Sequence, residues 1–541
     1  MAQRLLSVVL IISAFAHTAA AQNSPRVDSL FAPWGRVDSP GAVVAVLKNG
    51  ETVHMAGYGM ANLDYGIPLT GRTVFDIASV SKQFCAFAIA VLAERGLLTL
   101  DDDVRTFIPE LPSRDPPITI RQLVHHTSGL RDWPGSLAMA SWNMEDVISF
   151  GQILRFAQHQ ESLNFAPGSE YSYSNTGYNL LAEVVARVSG QSFRAWMDEN
   201  VFKPLGMVHT HFRDDHEEPV ANRAVGYSPA EENYKVLSNK LTALGSSSLF
   251  STAEDLVRWT QNFRRPLLGS PAVHKQMEER GMLASGQSIP YAFGQVHGTY
   301  RGLNSVGHSG SWAGFRTVLL RFPDSDFAVV ILSNVATFQP LGMAFRIADI
   351  YLESALTPPE LDPISVNIHP GDLLSAPGLY RLGAATFVRI SRVGTLLVWQ
   401  ATNEPEHPMI PLAETTFFVK AYGDSVRFRG TSGGRAQEIM FRKAVAPRVP
   451  ETDVGDMTAY AGKYWSPDLE ASVTIILEDG QLRALQRRSG STTLQHVTGD
   501  VFTTTRWYMP VIEFKRNGQE KVMSLEMSTV RSRRERFLRQ E

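Results

Sequence analysis

Helix-period runs stop at Thr357-Pro358-Pro359, and that change of pattern does most to limit what the chain can fold into. Before it, strand and helix signals alternate. Val43 to Leu47 is an apolar strand, Asn49-Gly50 is a strong turn signal, and Thr52 to Tyr58 returns as a hairpin partner. Helical patterns follow at Lys82 to Arg95, closed by Gly96, and at Tyr178 to Val188. Two β-rich runs, Thr317 to Phe322 and Phe327 to Ser333, flank Pro323-Asp324, and a helical stretch from Leu341 to Leu356 closes the region. Strands at both ends with helices between them predict an α+β domain, an antiparallel sheet flanked by helices plus a helical region.

After the prolines only short alternating segments recur, among them Thr386 to Ile390, Thr395 to Trp399, Ser472 to Leu477 and Val511 to Lys515. Val445 to Val454, with Pro447 and Pro450, reads as a second boundary. The two parts look like weak copies. Pro377-Gly378-Leu379-Tyr380 lines up with Ala461-Gly462-Lys463-Tyr464 at their starts, and Phe441-Arg442 with Phe537-Leu538-Arg539 at their ends. Chance similarity between β-rich stretches competes with that reading. Evenly spaced short strands predict two small antiparallel β-barrels. The expected division is a signal peptide over 1–21, a catalytic domain over 22–357, and barrels over 358–447 and 448–541. If the barrels are separate units, truncation after Leu356 should leave a soluble catalytic domain.

The remaining bulk properties exclude more than they select. The chain has 541 residues, too many for one core, and a formal net charge of -3, which gives no pull toward nucleic acid. Arg4, the apolar run Leu5 to Ala16 and the small residues Ala19-Ala20-Ala21 read as an export signal, too short to favour a membrane span. This predicts a periplasmic or secreted protein with no span once the signal is cleaved. Cys85 is the sole cysteine and sits among Phe84, Ala86, Phe87 and Ile89, so a buried, inert thiol is expected. His125 and His126 are adjacent and diverge on any regular element, which argues against a metal pair. No metal and no cofactor is expected.

The chemistry concentrates in three places. In Ile77-Ala78-Ser79-Val80-Ser81-Lys82, Ser79 and Lys82 are three apart where a helix begins, so a helix would place both on one face. Serine needs a base to take its proton, and an amine within hydrogen-bond reach can serve. Alone, that spacing is common in a long chain. Two further segments accompany it: Tyr173-Ser174-Asn175, in a loop leading to a helix, and His308-Ser309-Gly310-Ser311, before the last strands. A literal G-x-S-x-G at Gly430 to Gly434 lies between β segments and lacks the helix that a nucleophile elbow requires, so it reads as a loop.

These three segments, in this order, resemble the penicillin-recognising serine hydrolases: class C β-lactamases, D-alanyl-D-alanine carboxypeptidases, D-aminopeptidases and related esterases. Ile120-Arg121-Gln122-Leu123, His126-Thr127-Ser128-Gly129-Leu130, Pro204-Leu205-Gly206-Met207 and Leu249-Phe250-Ser251-Thr252 also look like that family, and the resemblance spans roughly Val43 to Leu356. It implies that Ser79 forms an acyl-enzyme, Lys82 helps deprotonate it, and Tyr173 passes protons to the leaving group and from water. It further implies that Asn175 binds the substrate amide or ester, that backbone N–H groups of Ser79 and Ser311 form the oxyanion hole, and that His308, Ser309 and Gly310 line the opposite wall.

One departure bears on substrate. Well-known members carry Lys-Thr-Gly where this chain has His308-Ser309-Gly310, and an imidazole is a weaker anchor for a carboxylate than an ammonium. The expected function is therefore hydrolysis of a small ester, amide or peptide, esterase-like or D-aminopeptidase-like. β-Lactam hydrolysis or peptidoglycan trimming is the alternative. A non-catalytic sensor or inactive binding protein is the third reading; retention of both Lys82 and Tyr173 argues against it.

Overall fold

The computed structural model describes residues 23–359, 363, 365–366 and 375–541; the expected export signal over 1–21 lies outside the described residues. The chain forms two compact units. The first comprises residues up to Leu130, Glu145–Gln158 and Phe165–Pro358; the second comprises Arg131–Met144, His159–Asn164 and Pro359–Glu541.

The first unit is built on β1 (Ala42–Lys48), β2 (Glu51–Tyr58), β3 (Val296–Tyr300), β4 (Leu303–Trp312), β5 (Phe315–Phe322) and β6 (Phe327–Ser333). Their order is β3-β4-β5-β6-β1-β2, antiparallel throughout. The hairpin at Asn49-Gly50 has both residues at positive φ, as that sequence favours. Strand β1 enters the sheet beside β6, with Val44 opposite Ile331 and Val46 opposite Val329. Alternation puts Val44, Val46, Val318, Leu320, Val329 and Ile331 into one core with Phe31, Phe338 and Ile347. The helix Pro340–Tyr351 packs on β5 and β6, and the helix Ala253–Arg264 on β1 and β6, so β1 and β6 are buried along nearly their whole length.

Two helices of the first unit carry the site. Helix α1 (Lys82–Glu94) is preceded by a 3-10 turn over Ala78–Ser81, and every residue from Lys82 to Leu92 is buried. Helix α2 (Asn175–Ser189) starts earlier than its apolar pattern suggests, because Ser174 caps it by accepting from Gly177 N, and Gly190 at φ 70° ends it. His308-Ser309-Gly310-Ser311 lies within β4, a strand that the sequence pattern did not reveal.

In the second unit, eight strands from Gly378–Gly383 to Ala444–Val449 form a closed antiparallel barrel. Nine more, from Gly462–Ser466 to Glu535–Arg539, form a sheet whose two end strands, Gly490–Thr493 and Gln495–Thr498, are separated in the chain only by Leu494. The expected copies are visible in the closing contacts. Tyr380 OH donates to Ala376 O at 2.8 Å, and Tyr464 OH to Tyr460 O at 2.7 Å. Tyr380 pairs across strands with Arg448, and Tyr464 with Arg539. The matched ends are thus Arg448 and Arg539, not the Phe441-Arg442 that the sequence comparison aligned. Gly433 and Gly434, at φ 57° and 72°, make the tight turn between two barrel strands, so Ser432 lies at a hairpin tip.

The expected continuous domain over 22–357 is interrupted. Helix Trp133–Met139 belongs to the second unit, where Ala138 and Met139 join a core with Tyr460, Tyr464 and Phe537. Ser532 Oγ donates to Asp132 O and Gln486 Nε2 to Met139 O, at 2.8 and 2.7 Å. Truncation after Leu356 would strip this segment of its packing partners.

Candidate active site

Ser79 is half-buried in the 3-10 turn, and Lys82 is the first residue of α1. The approach to Ser79 is strained. Ala78 sits at φ 47°, and its N–H donates to Asp76 Oδ1 at 2.8 Å. Asp76 is fully buried and also accepts from Asn239 Nδ2 at 2.8 Å; burial pushes its carboxyl up to about 6, against the pull of those hydrogen bonds. Thr317 Oγ1, on β5, donates to Ile77 O at 2.8 Å and ties the turn to the sheet.

Lys82 is wholly buried. Its Nζ lies 3.2 Å from Ser79 Oγ, 2.8 Å from Asn175 Oδ1 and 2.7 Å from Ser246 O. The Asn175 and Ser246 oxygens only accept, so they take two of the amine's hydrogens. The remaining position faces Ser79: an ammonium donates there, and a neutral amine can accept the hydroxyl proton. The Tyr173 ring lies 4.8 Å from the same nitrogen. The first two sequence motifs are thus brought together around one amine.

Strand β4 closes the other side. Alternation buries His308 and Gly310 and exposes Ser309 and Ser311. A Cβ on Gly310 would collide with Ile77 O and Thr317 Oγ1 and lie 3.0 Å from Ser79 N, so glycine is what allows this strand to reach the Ser79 backbone. His308 Nδ1 is 2.6 Å from Ser309 O, and a carbonyl only accepts, so Nδ1 carries the hydrogen. Nε2 then faces Tyr291 OH at 3.2 Å. Tyr291 is completely buried, and burial holds its hydroxyl far above the usual phenol range.

Tyr291, Ser246 and Asn239 were not singled out from the sequence, and His126 was named there only as an improbable metal ligand and within a family-like segment, with no role at the site. None belongs to a spacing pattern that points at chemistry; each reaches the site through the tertiary fold. His125 and His126 diverge as expected: His125 stacks edge-on to Phe293 at 5.3 Å, and burial brings its imidazole down to about 4, whereas His126 faces Tyr173 at 4.3 Å. The Cys85 thiol is buried, donates to Tyr178 O at 3.7 Å and is pushed up by burial, which leaves it a poor nucleophile.

The beta-lactamase family matches residues 27–351, and a domain of unknown function, DUF3471, matches 446–539. The chain is 27% identical over 431 residues to penicillin-binding protein 4* of Bacillus subtilis, covering 74% of this chain and 93% of that protein. It is 25% identical over 475 residues to a D-aminopeptidase of Gluconobacter oxydans, covering 84% and 87%. Among solved structures, the octameric penicillin-binding protein homologue from Pyrococcus abyssi superposes with a TM-score of 0.57 at 21% identity, covering 86% of this chain and 98% of that one. That match supports the fold alone. Two motifs meeting at Lys82, a third against the Ser79 backbone and the family match over most of the first unit agree: the chain belongs to the beta-lactamase family and is a serine hydrolase.

Proposed function

We propose that the enzyme hydrolyses a small amide or ester with no carboxylate beside the scissile bond, of the D-amino-acid amide class, through an acyl-enzyme on Ser79. Lys82 accepts the Ser79 proton as Oγ attacks the carbonyl carbon. Tyr173 relays a proton to the departing amine or alcohol, and later helps a water attack the acyl group. The N–H groups of Ser79 and Ser311 hold the developing oxyanion, each worth about 3–4 kcal/mol. Asn175, hydrogen-bonded to Lys82, orients the amide side of the substrate.

The observation that carries the choice of substrate is the His308–Tyr291 pair. With Nδ1 engaged by Ser309 O and Nε2 by Tyr291 OH, the imidazole is committed on both nitrogens and offers no fixed cation to a carboxylate. Similarity to D-aminopeptidases supports the amide class. Export guided by residues 1–21 belongs to the same proposal, and the N-terminal sequence of the mature protein tests it.

The deciding experiment is intact-mass analysis after incubation with activated esters, D-amino-acid anilides and penicillin. Transient adducts are expected from the first two and absent in Ser79→Ala. A stable penicilloyl adduct with no turnover of esters or anilides would replace this reading with a penicillin-binding one.

A further inference from the structure

We propose that His126 is the positioning residue that sets Tyr173, and that protonation of its Nδ1 releases Tyr173 and lowers turnover. The inference rests on the reading of Tyr173 as proton carrier. His126 holds both chain neighbours of Tyr173. Ser172 N donates to His126 O at 3.0 Å, and Ser174 N donates to His126 Nδ1 at 3.1 Å. A backbone N–H only donates, so Nδ1 is unprotonated in this arrangement and the ring hydrogen is on Nε2. Ser174 also caps α2, whose first residue, Asn175, accepts from Lys82, so one bond steadies two parts of the site.

His126 itself is built into place. It is buried, at φ 58°, with its N–H on Leu123 O and the next N–H on Gln122 O at 2.9 Å. The titratable groups facing it are Tyr171 and Tyr173 of the preceding loop of α2, Tyr178 of α2, and Tyr291, with ring centroids 6.2, 4.3, 5.0 and 4.3 Å away. Lys82 Nζ lies over the Tyr173 and Tyr178 rings, and His125 precedes it in the chain. A proton at Nδ1 would set a donor against the Ser174 N–H, and that bond would break.

The test compares His126→Ala, His126→Asn and Tyr173→Phe with wild type on a neutral nitrophenyl ester across pH. The Asn side-chain oxygen sits close to where Nδ1 sits, accepts at every accessible pH and tolerates positive φ. His126→Ala should lower kcat about 100-fold with little change in KM. His126→Asn should recover kcat to within about tenfold of wild type, with the acid limb of its kcat profile displaced downward or lost. Wild-type kcat in His126→Ala overturns the proposal. So does a His126→Asn that is no better than His126→Ala, whether in folding or in turnover, or that keeps the wild-type acid limb. If Tyr173→Phe turns over normally, the role of Tyr173 itself is wrong; if it is inactive while His126→Ala is not, only the role of His126 falls.

Discussion

The guanidinium of Arg131 lies 3.1 Å from the carboxylate of Glu535 in a dry interior, although one residue follows the His126–Leu130 segment and the other lies on the last strand of the chain. Asp468 takes a second contact with the same nitrogen at 3.1 Å, and Arg131 Nε and Nη2 donate to the carbonyls of Arg533 and Arg534. Burial pushes the Glu535 carboxyl up against the pull of Arg131. Breaking such a pair leaves a charge with no solvent, which costs about 3–5 kcal/mol, whereas replacing both members with apolar residues is often near neutral. Arg131→Met should therefore lower the unfolding free energy by about that much, and adding Glu535→Leu should recover most of it. Urea unfolding of the single and double variants measures this; additive losses would mean the two charges are not coupled.

Truncation after Leu356 should give an aggregated or partly unfolded product rather than a soluble catalytic domain. It removes Tyr460, Tyr464 and Phe537, which bury Ala138 and Met139, together with the carboxylates that compensate Arg131. Gel filtration of the truncated chain decides it. A monomeric product with normal ester turnover would show that residues 131–144 tolerate losing their core.

Gly310→Ala should lower kcat/KM by about 100-fold or more, and it should also lower the thermal midpoint, since overpacking of this kind costs about 1–3 kcal/mol. The added methyl runs into Ile77 O and Thr317 Oγ1 and comes within 3.0 Å of Ser79 N, so the strand retreats and the two N–H groups proposed to hold the oxyanion separate. Steady-state kinetics with a matched melting curve separates this loss from unfolding.

Substrate charge should follow the third motif. His308→Lys puts a permanent cation where the imidazole is held by Tyr291, and a charge-assisted contact should raise the ratio of kcat/KM for nitrocefin to that for a neutral nitrophenyl ester about tenfold. Tyr291→Phe takes the hydroxyl away from Nε2 and should raise the same ratio only as pH falls and the imidazole gains a proton. A wild-type ratio that already favours nitrocefin, with no gain in either variant, would count against a substrate that lacks a carboxylate.

Asp76 should give the folded state a measurable pH slope. Its carboxyl titrates at about 6 in the fold against 3.8 when unfolded, so between those values the folded state binds more protons and stability falls as pH rises. The full difference is on the order of 3 kcal/mol. Asp76→Asn removes the titration. Its unfavourable contact with Asn239 Nδ2 costs a constant amount, so the variant should gain on wild type between pH 4 and 7. His125, held down to about 4, contributes the opposite slope in both proteins and cancels in the difference. Denaturant midpoints at both pH values test the sign.

Local spacing carried much of the site. Ser79 and Lys82 are three apart at a helix start, the Tyr173–Asn175 segment leads into a helix, and Ser432 lacks a following helix and proves to sit at a hairpin tip. The β-rich runs Thr317 to Phe322 and Phe327 to Ser333 marked strands that prove to be buried, and Asn49-Gly50 marked the hairpin at the sheet's other end.

What the sequence by itself determined was the Asn49-Gly50 hairpin, the two β-rich runs that end at Ser333, the three motifs and the break at Pro358, because side-chain period and turn chemistry are properties of a few neighbouring residues. The tertiary structure alone decided which distant groups meet. Ser246 O completes the Lys82 nitrogen, Tyr291 occupies His308, His126 holds both neighbours of Tyr173, and Arg131–Met144 packs with the second unit. Barrel closure likewise selected Arg448, not Arg442, as the counterpart of Arg539. Such partners are set by burial and by strand closure over hundreds of residues, where hydrogen bonds and packing choose among many compatible sequences and leave no periodic trace.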